Sequence, residues 1–500
     1  MSSMDFLSFQ ARLRPGDEAV YDITSQRRWT YEAWDGFVSR LVTWLSQQGV
    51  HKGDRLVCLA RNSAETVALH LACGRAGVLF VPLNWRLSQE ELMQLLDDCE
   101  PSLVCGDKEA DRAGLPYVVL STLPDLVSEL TPSATSNENA ASPSLILYTS
   151  GTTGLPKGIV HTEQTIMETT QNMALLGHVD EHSTFLCETP MFHVIGLISC
   201  VRPALYFGGR LIISDGFEPA RTFDRLCDPD LAVSHYFCVP QMANALRQLA
   251  HFDASRMTGL KALLTGGAPH PEVQIKAWLN DGIPIVDGYG MSEAGTVLGM
   301  SFDMRIIDQK AGYVGLPTHR IDVRLTGPGN QPVAFGEAGE IQIKGANLFV
   351  DVWKNHRAYE RSFTPDGWFQ TGDIGVSDED GYIRIVDRIK DMFISGGENV
   401  YPAEVEAVAL RFPQILECAL IGVPDEKWGE SGCLFVVPSV SHESFDKEGL
   451  LREMEKGLAR YKLPKVIHLI EALPRNGTGK LRRNILRECD INSLVGNVQA

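Results

Sequence analysis

From residue 18 to about residue 300, short apolar runs with a period of two alternate with amphipathic stretches of period 3.6. This alternation constrains the fold more than any other feature. Glu18 to Ile23, Arg55 to Leu59, Val78 to Pro82 and Ser144 to Tyr148 read as strands. Thr30 to Gln48 and Ala64 to Gly77 read as helices, with Thr30 able to cap the first and Gly49 following its end. Ser88-Gln-Glu-Glu91 is a capping-box start for another helix. Strands separated by helices pair in parallel and are covered by those helices, so an α/β architecture follows. The chain has 500 residues, beyond the size at which one core keeps growing, so more than one domain is expected. Between 311 and 386 the pattern changes to short alternating runs such as Ile321 to Leu325 and Glu340 to Ile343, an all-β stretch. Residues 403–472 return to mixed helix and strand, a compact α+β module.

The net charge is −18, from 63 acidic and 45 basic residues. An acidic surface argues against nucleic acid or an anionic membrane as the main partner. Sites for anionic ligands must then be made locally, by loops and single basic residues. Eleven cysteines without a C-x-x-C pair fit a reducing compartment and no zinc site. The N-terminus lacks a basic stretch followed by an apolar run, no apolar run nears the roughly 20 residues of a membrane helix, and Gly496 to Ala500 is not a peroxisomal address. A cytoplasmic protein is the expectation, with a homodimer left open.

The stretch Tyr148-Thr-Ser-Gly-Thr-Thr-Gly-Leu-Pro-Lys157-Gly158 sets four hydroxyls, Thr149, Ser150, Thr152 and Thr153, around Gly151 and Gly154. Glycines let successive N–H groups face inward as a concave anion site. The hydroxyls add donors and Lys157 adds charge, which suits a polyphosphate. It is not a Walker A motif, because Lys157 is followed by Gly158 and by Ile159 and Val160, a strand rather than a helix. An ordinary polar surface turn is the plain alternative.

Further segments carry chemistry-bearing residues. Glu188-Thr-Pro-Met-Phe-His193 precedes the apolar run Ile195 to Ile198, read as a helix beside a greasy pocket. Ser234-His-Tyr-Phe-Cys-Val-Pro240 reads as a strand in which Tyr236 and Phe237 take opposite faces, so at most one lines a pocket. Leu264-Thr-Gly-Gly-Ala-Pro269 is a strand and glycine turn that a flat base could approach. Asp287-Gly-Tyr-Gly-Met-Ser-Glu293 offers an aromatic face in Tyr289 and a carboxylate suited to Mg²⁺ in Glu293. Gly367 to Asp373 ends in a carboxylate, Arg388 presents a fork for paired oxygens, Ser395-Gly-Gly-Glu-Asn-Val-Tyr-Pro402 leads into a helix, and Pro474 to Lys480 is a turn presenting a lysine. Each alone has a plain reading: core histidine, buried strand end, solvated carboxylate, surface lysine.

In combination and in this order, the segments resemble the AMP-forming, acyl-adenylating superfamily of acyl-CoA synthetases, nonribosomal adenylation domains and firefly luciferase, over about residues 15–490. The resemblance implies a large N-terminal domain of helix-covered sheets plus a small β-barrel-like subdomain, residues 1–386. A small mobile α+β C-terminal domain, residues 387–500, would swing about Asp387. By the same resemblance Thr149, Ser150, Gly151, Thr152, Thr153 and Lys157 hold the phosphates of ATP, and Glu293 with Thr152 holds Mg²⁺. Gly267, Ala268, Asp287, Gly288, Tyr289 and Ser292 border the nucleotide; the family usually has Thr at the position of Ser292. Asp373 and Arg388 take the ribose. His193 stands between nucleotide and acyl pocket, Gly396 and Gly397 pass the pantetheine arm of CoA, and Lys480 is the catalytic lysine. The implied reaction is carboxylate plus Mg·ATP to acyl-AMP and pyrophosphate, then acyl transfer to CoA, acting on a hydrophobic medium-chain, aryl or alicyclic acid. Two other readings stand beside it: a stand-alone amide synthetase handing the acyl-AMP to an amine, and a non-catalytic nucleotide-binding protein. Loss of Lys480, Glu293 or Asp373 would mark the latter, and all three are present. No carrier domain is expected after residue 490, which disfavours a peptide-synthetase fragment.

Overall fold

A computed structural model describes residues 5–133, 139–149, 156–395, 398–425, 427–475 and 481–488. The chain divides into two compact units: Met1–His270, Ile275–Asp322 and Ile343–Phe369 form one, and Pro271–Gln274, Val323–Gln342 and Gln370–Ala500 the other.

The first unit contains two sheets. One has seven strands, in the order Asp351–Val352, Lys157–Thr162, Pro143–Thr149, Leu79–Pro82, Arg55–Leu59, Leu103–Gly106, Val118–Val119. The last five run parallel and the first two antiparallel to their neighbours. The other has nine strands, with a parallel centre formed by Ile285–Met291, Ala262–Thr265, His235–Cys238, Thr184–Cys187, Arg210–Ile213 and Glu18–Asp22. Antiparallel strands close both of its edges. The strand–helix alternation of the sequence thus becomes parallel pairing, because each helical crossover returns the chain in the same direction.

The helices start where the sequence offers caps. The Thr30 hydroxyl accepts from the Ala33 N–H at the head of Tyr31–Gln47, and Ser88 with Glu91 forms a capping box at Gln89–Cys99. In the first of these helices Trp34, Phe37, Val38, Leu41, Trp44 and Leu45 share one buried face. Ala64–Ala76 is buried through almost its whole length and packs on strands from both sheets, which fits its weak amphipathicity. It ends at Gly77, whose φ of +68° a side chain would resist. One core under the nine-stranded sheet gathers Phe223, Tyr236, Leu263, Trp278 and Ile285, and another covers the seven-stranded sheet with Leu92, Leu95 and Leu96. Each such fully buried side chain contributes about 1.5–3 kcal/mol of transfer free energy.

The second unit holds the strands of a four-stranded sheet, Ile321–Thr326, Ala338–Gly345, Phe369–Ser377 and Ile383–Arg388, the first three crossing the unit boundary. It also holds a five-stranded sheet built on the long hairpin Ile415–Asp425 and Gly429–Pro438. Alternate residues of that hairpin enter different cores. Leu420, Leu434 and Val436 pack with Val405, Leu450 and Met454; Ala419, Ile421, Cys433 and Phe435 pack with Leu473 and Leu486.

Three local expectations change. Ile195–Cys200 is a π-helix, continuing as the α-helix Val201–Tyr206. The stretch read as all-β contains the short helix His356–Arg361, capped by Asn355. Ser395 to Pro402 is not simply a helix start: Phe393–Ser395 and Glu398–Val400 pair antiparallel first, and the helix begins at Pro402. Among the described residues no helix is long and apolar enough to cross a membrane, and all ten cysteines there are free thiols.

Candidate active site

The polar loop joins two antiparallel strands. Pro143–Thr149 and Lys157–Thr162 pair with Thr149 opposite Lys157 and Tyr148 opposite Gly158, so the strand ends that bound the loop lie side by side. The Tyr148 hydroxyl donates to Asp98 at 2.5 Å, which fixes the incoming strand to helix Gln89–Cys99. Gly158 has no room for a side chain: a Cβ there would lie 2.9 Å from Ile146 and 2.9 Å from Trp353. Ser150, Gly151, Thr152 and Thr153 lie outside the described residues.

The carboxyl ends of the nine-stranded sheet supply the second group, the place where parallel sheets offer backbone to ligands. Gly266 packs so closely that a Cβ would stand 3.0 Å from the Gly288 carbonyl, and Gly267 has φ +81°. Gly267 and Ala268 thus follow Thr265 in a turn beside Gly288 and Tyr289. Asp287 lies beneath them, 3% exposed. Its Oδ1 accepts from the Thr265 hydroxyl and from the Gly288 N–H, each at 3.0 Å. Burial pushes its carboxyl up to about 7, against the pull of those two donors. Because Thr265 donates to Asp287, it accepts from His270 Nδ1 at 3.2 Å. Asp287 therefore braces the turn that carries Gly288.

Glu293 stands at the tip of a hairpin. Strands Ile285–Met291 and Gly295–Gly299 pair with Met291 opposite Gly295, leaving Ser292, Glu293 and Ala294 as a three-residue connection. Gly295 closes it with φ +63°, the left-handed residue such loops require. Three consecutive carbonyls of this tip are held. His161 Nε2 meets the Ser292 carbonyl at 2.7 Å, and the Phe349 N–H donates to the Glu293 carbonyl at 2.8 Å. The Ala294 carbonyl accepts from Asn347 at 2.7 Å and from the Thr169 hydroxyl at 3.1 Å. The carboxylate thus projects from a backbone with little freedom. Among the described residues no cluster of three or more His, Cys, Asp or Glu could cage a metal ion. One carboxylate on a rigid tip fits Mg²⁺ instead, which keeps water and nucleotide oxygens as its remaining ligands.

His193 is placed by residues far away in the chain. Asn62 donates to the Thr189 carbonyl and accepts from the Met191 N–H, both at 2.9 Å. Gly196 lets the following π-helix close down on this turn, since a Cβ would fall 2.3 Å from the Pro190 carbonyl. The ring lies 4.6 Å from that of Phe192, and its buried Nε2 has no hydrogen-bond partner among the described residues. Burial, with the nearby Arg86 charge, lowers its pKa to about 4, so the ring is neutral near pH 7. The opposite-face expectation for the next strand holds. Tyr236 is fully buried, its hydroxyl donating to Glu188 at 3.0 Å beside Thr222 and Arg225. The ring of Phe237 lies on the side of Gly266, whose Cβ would stand 3.6 Å from it.

In the second unit, Asp373 and Arg388 face one another on strands Phe369–Ser377 and Ile383–Arg388, with Arg388 Nε 2.9 Å from Asp373 Oδ1. Asp387 points the other way along its strand. One oxygen accepts from the Arg388 N–H at 2.7 Å and the other from the Ala403 N–H at 2.8 Å. Helix Pro402–Ala409 has no side-chain cap of its own at Tyr401, so Asp387 fills that role from sixteen residues away. Burial raises its carboxyl to about 6. Gly396, Gly397 and Lys480 lie outside the described residues. His161 and Asn62 had no signal in the sequence, since both reach distant, ordinary backbone groups.

Residues 7–353 match the family described as AMP-binding enzyme, and residues 404–480 its C-terminal domain. A feruloyl-CoA synthase of Amycolatopsis sp is 35% identical over 92% of this chain and 93% of its own. A long-chain-fatty-acid–CoA ligase of Mycobacterium tuberculosis is 35% identical over 96% of each chain. Among solved structures, the o-succinylbenzoate CoA synthetase of Bacillus subtilis in complex with ATP and magnesium superimposes with a TM-score of 0.87 at 27% identity, over 97% of this chain and 100% of that one. The extent of these matches places the chain in the AMP-binding enzyme family, as an AMP-forming carboxylate–CoA ligase of the acyl-adenylating superfamily.

Proposed function

We propose that the protein converts a hydrophobic carboxylic acid of bounded size, medium-chain, aryl or alicyclic, first to its acyl-AMP and then to its CoA thioester. The burial of Tyr236 carries the bounded-size part. Its hydroxyl is fixed on Glu188, so that side of the strand is packed core, and Phe237 and Ile195 flank Gly266 and Gly267 on the other.

In the first step an oxygen of the carboxylate attacks the α-phosphorus and pyrophosphate leaves. Positioning and charge stabilisation supply most of the acceleration in such transfers. Thr149 to Lys157 receive the phosphates. Gly267, Ala268, Gly288 and Tyr289 offer backbone and a ring to the base, braced by Asp287. Asp373 and Arg388 take the ribose, and Lys480, carried over from the resemblance, bridges the reacting oxygens. Glu293 and Thr152 would hold magnesium, which when bound neutralises phosphate charge. In the second step the CoA thiol sulfur, its proton lost, attacks the acyl carbonyl, and AMP leaves. We assign that step to a rotation of residues 387–500 against 1–386 at Asp387, bringing Gly396 and Gly397 to the pantetheine arm. The cytoplasm, with its reducing milieu, suits the free thiols.

Product mass spectrometry tests the proposal. Purified protein is given Mg·ATP with fatty, phenylpropanoid, benzoic and alicyclic acids, and with CoA, mixed amines or neither. Acyl-CoA and AMP from a bounded acid support it. Turnover confined to C16 acids would overturn the size limit, and amides in place of thioesters would overturn the acceptor.

A further inference from the structure

We infer that His161 is a positioning residue for the metal-binding carboxylate, tying the strand that leaves the phosphate loop to the peptide that carries Glu293. This rests on the reading of Glu293 as the magnesium ligand.

His161 lies four residues beyond Lys157 on the strand Lys157–Thr162, and is 2% exposed. Its Nε2 is 2.7 Å from the Ser292 carbonyl, across 131 residues of chain. A carbonyl can only accept, so Nε2 carries the proton. Nδ1 is then an acceptor, 3.0 Å from the Thr165 hydroxyl. Thr165 belongs to the capping box that opens helix Glu163–Leu176, so the ring is held at both ends. Phe349, Asn347 and Thr169 grip the next two carbonyls from other elements. Of these holds, His161 alone comes from the strand that begins at Lys157. One ring thereby joins the strand that begins at Lys157 to the peptide before Glu293. An aliphatic residue would fill the same space but leave the Ser292 carbonyl without this donor.

The test compares wild type with His161→Gln, whose amide N–H extends about as far as Nε2, with His161→Leu, and with Glu293→Gln. Mn²⁺ is the probe, titrated by electron paramagnetic resonance in the presence of ATP. Hydrogen–deuterium exchange of residues 291–295 is followed in nucleotide-free protein. His161→Leu should weaken the Mn²⁺ site about tenfold, within the range for residues that orient a metal ligand. It should also speed exchange at 291–295 more than elsewhere, while His161→Gln restores most of both. Should the leucine variant fail to fold, His161→Asn, too short to reach Ser292, takes its place. Unchanged Mn²⁺ affinity in the leucine or asparagine variant, with clear loss in Glu293→Gln, overturns the inference. Unchanged affinity in Glu293→Gln overturns instead the reading of Glu293 on which it rests.

Discussion

Arg388 Nε and Asp373 Oδ1 stand 2.9 Å apart because their residues are direct partners across two antiparallel strands. The carboxylate is nearly buried while the guanidinium is about one-third exposed. Such a pair holds a carboxylate and an Arg fork in a fixed relation on neighbouring strands, the arrangement assigned above to the ribose.

Arg388→Ala should therefore cost about 2 kcal/mol of stability, less than a fully buried pair because the arginine is partly solvated. Asp373→Asn should cost less stability yet raise the KM for ATP at least tenfold. A double-mutant cycle read by denaturant unfolding and by adenylation kinetics separates the two effects. If nucleotide affinity tracked stability through all four proteins, the ribose role of Asp373 would be lost.

Asp287 makes stability depend on pH. An unfolded aspartate titrates near 3.9, and burial raises the folded value to about 7. Folding thus favours the protonated carboxyl. Its contribution is complete below about pH 4 and is lost as pH rises through 7. Asp287→Asn cannot ionise, so its stability relative to wild type should grow by on the order of 3 kcal/mol between pH 4 and pH 8. Parallel melting curves at six pH values check this; a constant gap would mean that the folded carboxyl titrates normally.

His193 should contribute no limb to the pH–rate profile of acyl-AMP formation between pH 6 and 9, because it is already neutral there. His193→Phe should keep that profile shape while altering the preference among acids. A limb near pH 6.5 that vanished in the phenylalanine variant would show that the ring titrates in the working enzyme.

Tyr236 and Phe237 can be told apart by substitution. Tyr236→Phe removes one of several hydrogen bonds to Glu188 and should cost about 1 kcal/mol with acid selectivity unchanged. Phe237→Ala should shift selectivity toward bulkier acids. Competition assays with paired acids decide, and an exchange of the two outcomes would reverse the facing of the strand.

Much of this was legible in the chain itself. Thr30, Ser88 and Glu91 announce their helices locally, and the loop from Tyr148 to Gly158 carries its chemistry in consecutive residues. The opposite facing of Tyr236 and Phe237 follows from strand geometry alone. What escaped depends on meetings across long stretches of chain. Asn62 reaches residues 127 and 129 positions away, and His161 reaches 131. Neither has a neighbour that hints at its partner, and both bond plain backbone. The π-helix after His193 was read as ordinary helix, since apolar composition does not distinguish the two.

The long hairpin Ile415–Asp425 and Gly429–Pro438 sends alternate side chains into two separate cores, one on each face. A sheet clothed on both sides brings its own shelter from water. The stretch from Phe393 to Leu486 accordingly carries cover for both faces of its sheet, the first requirement of a piece to be exchanged between related ligases.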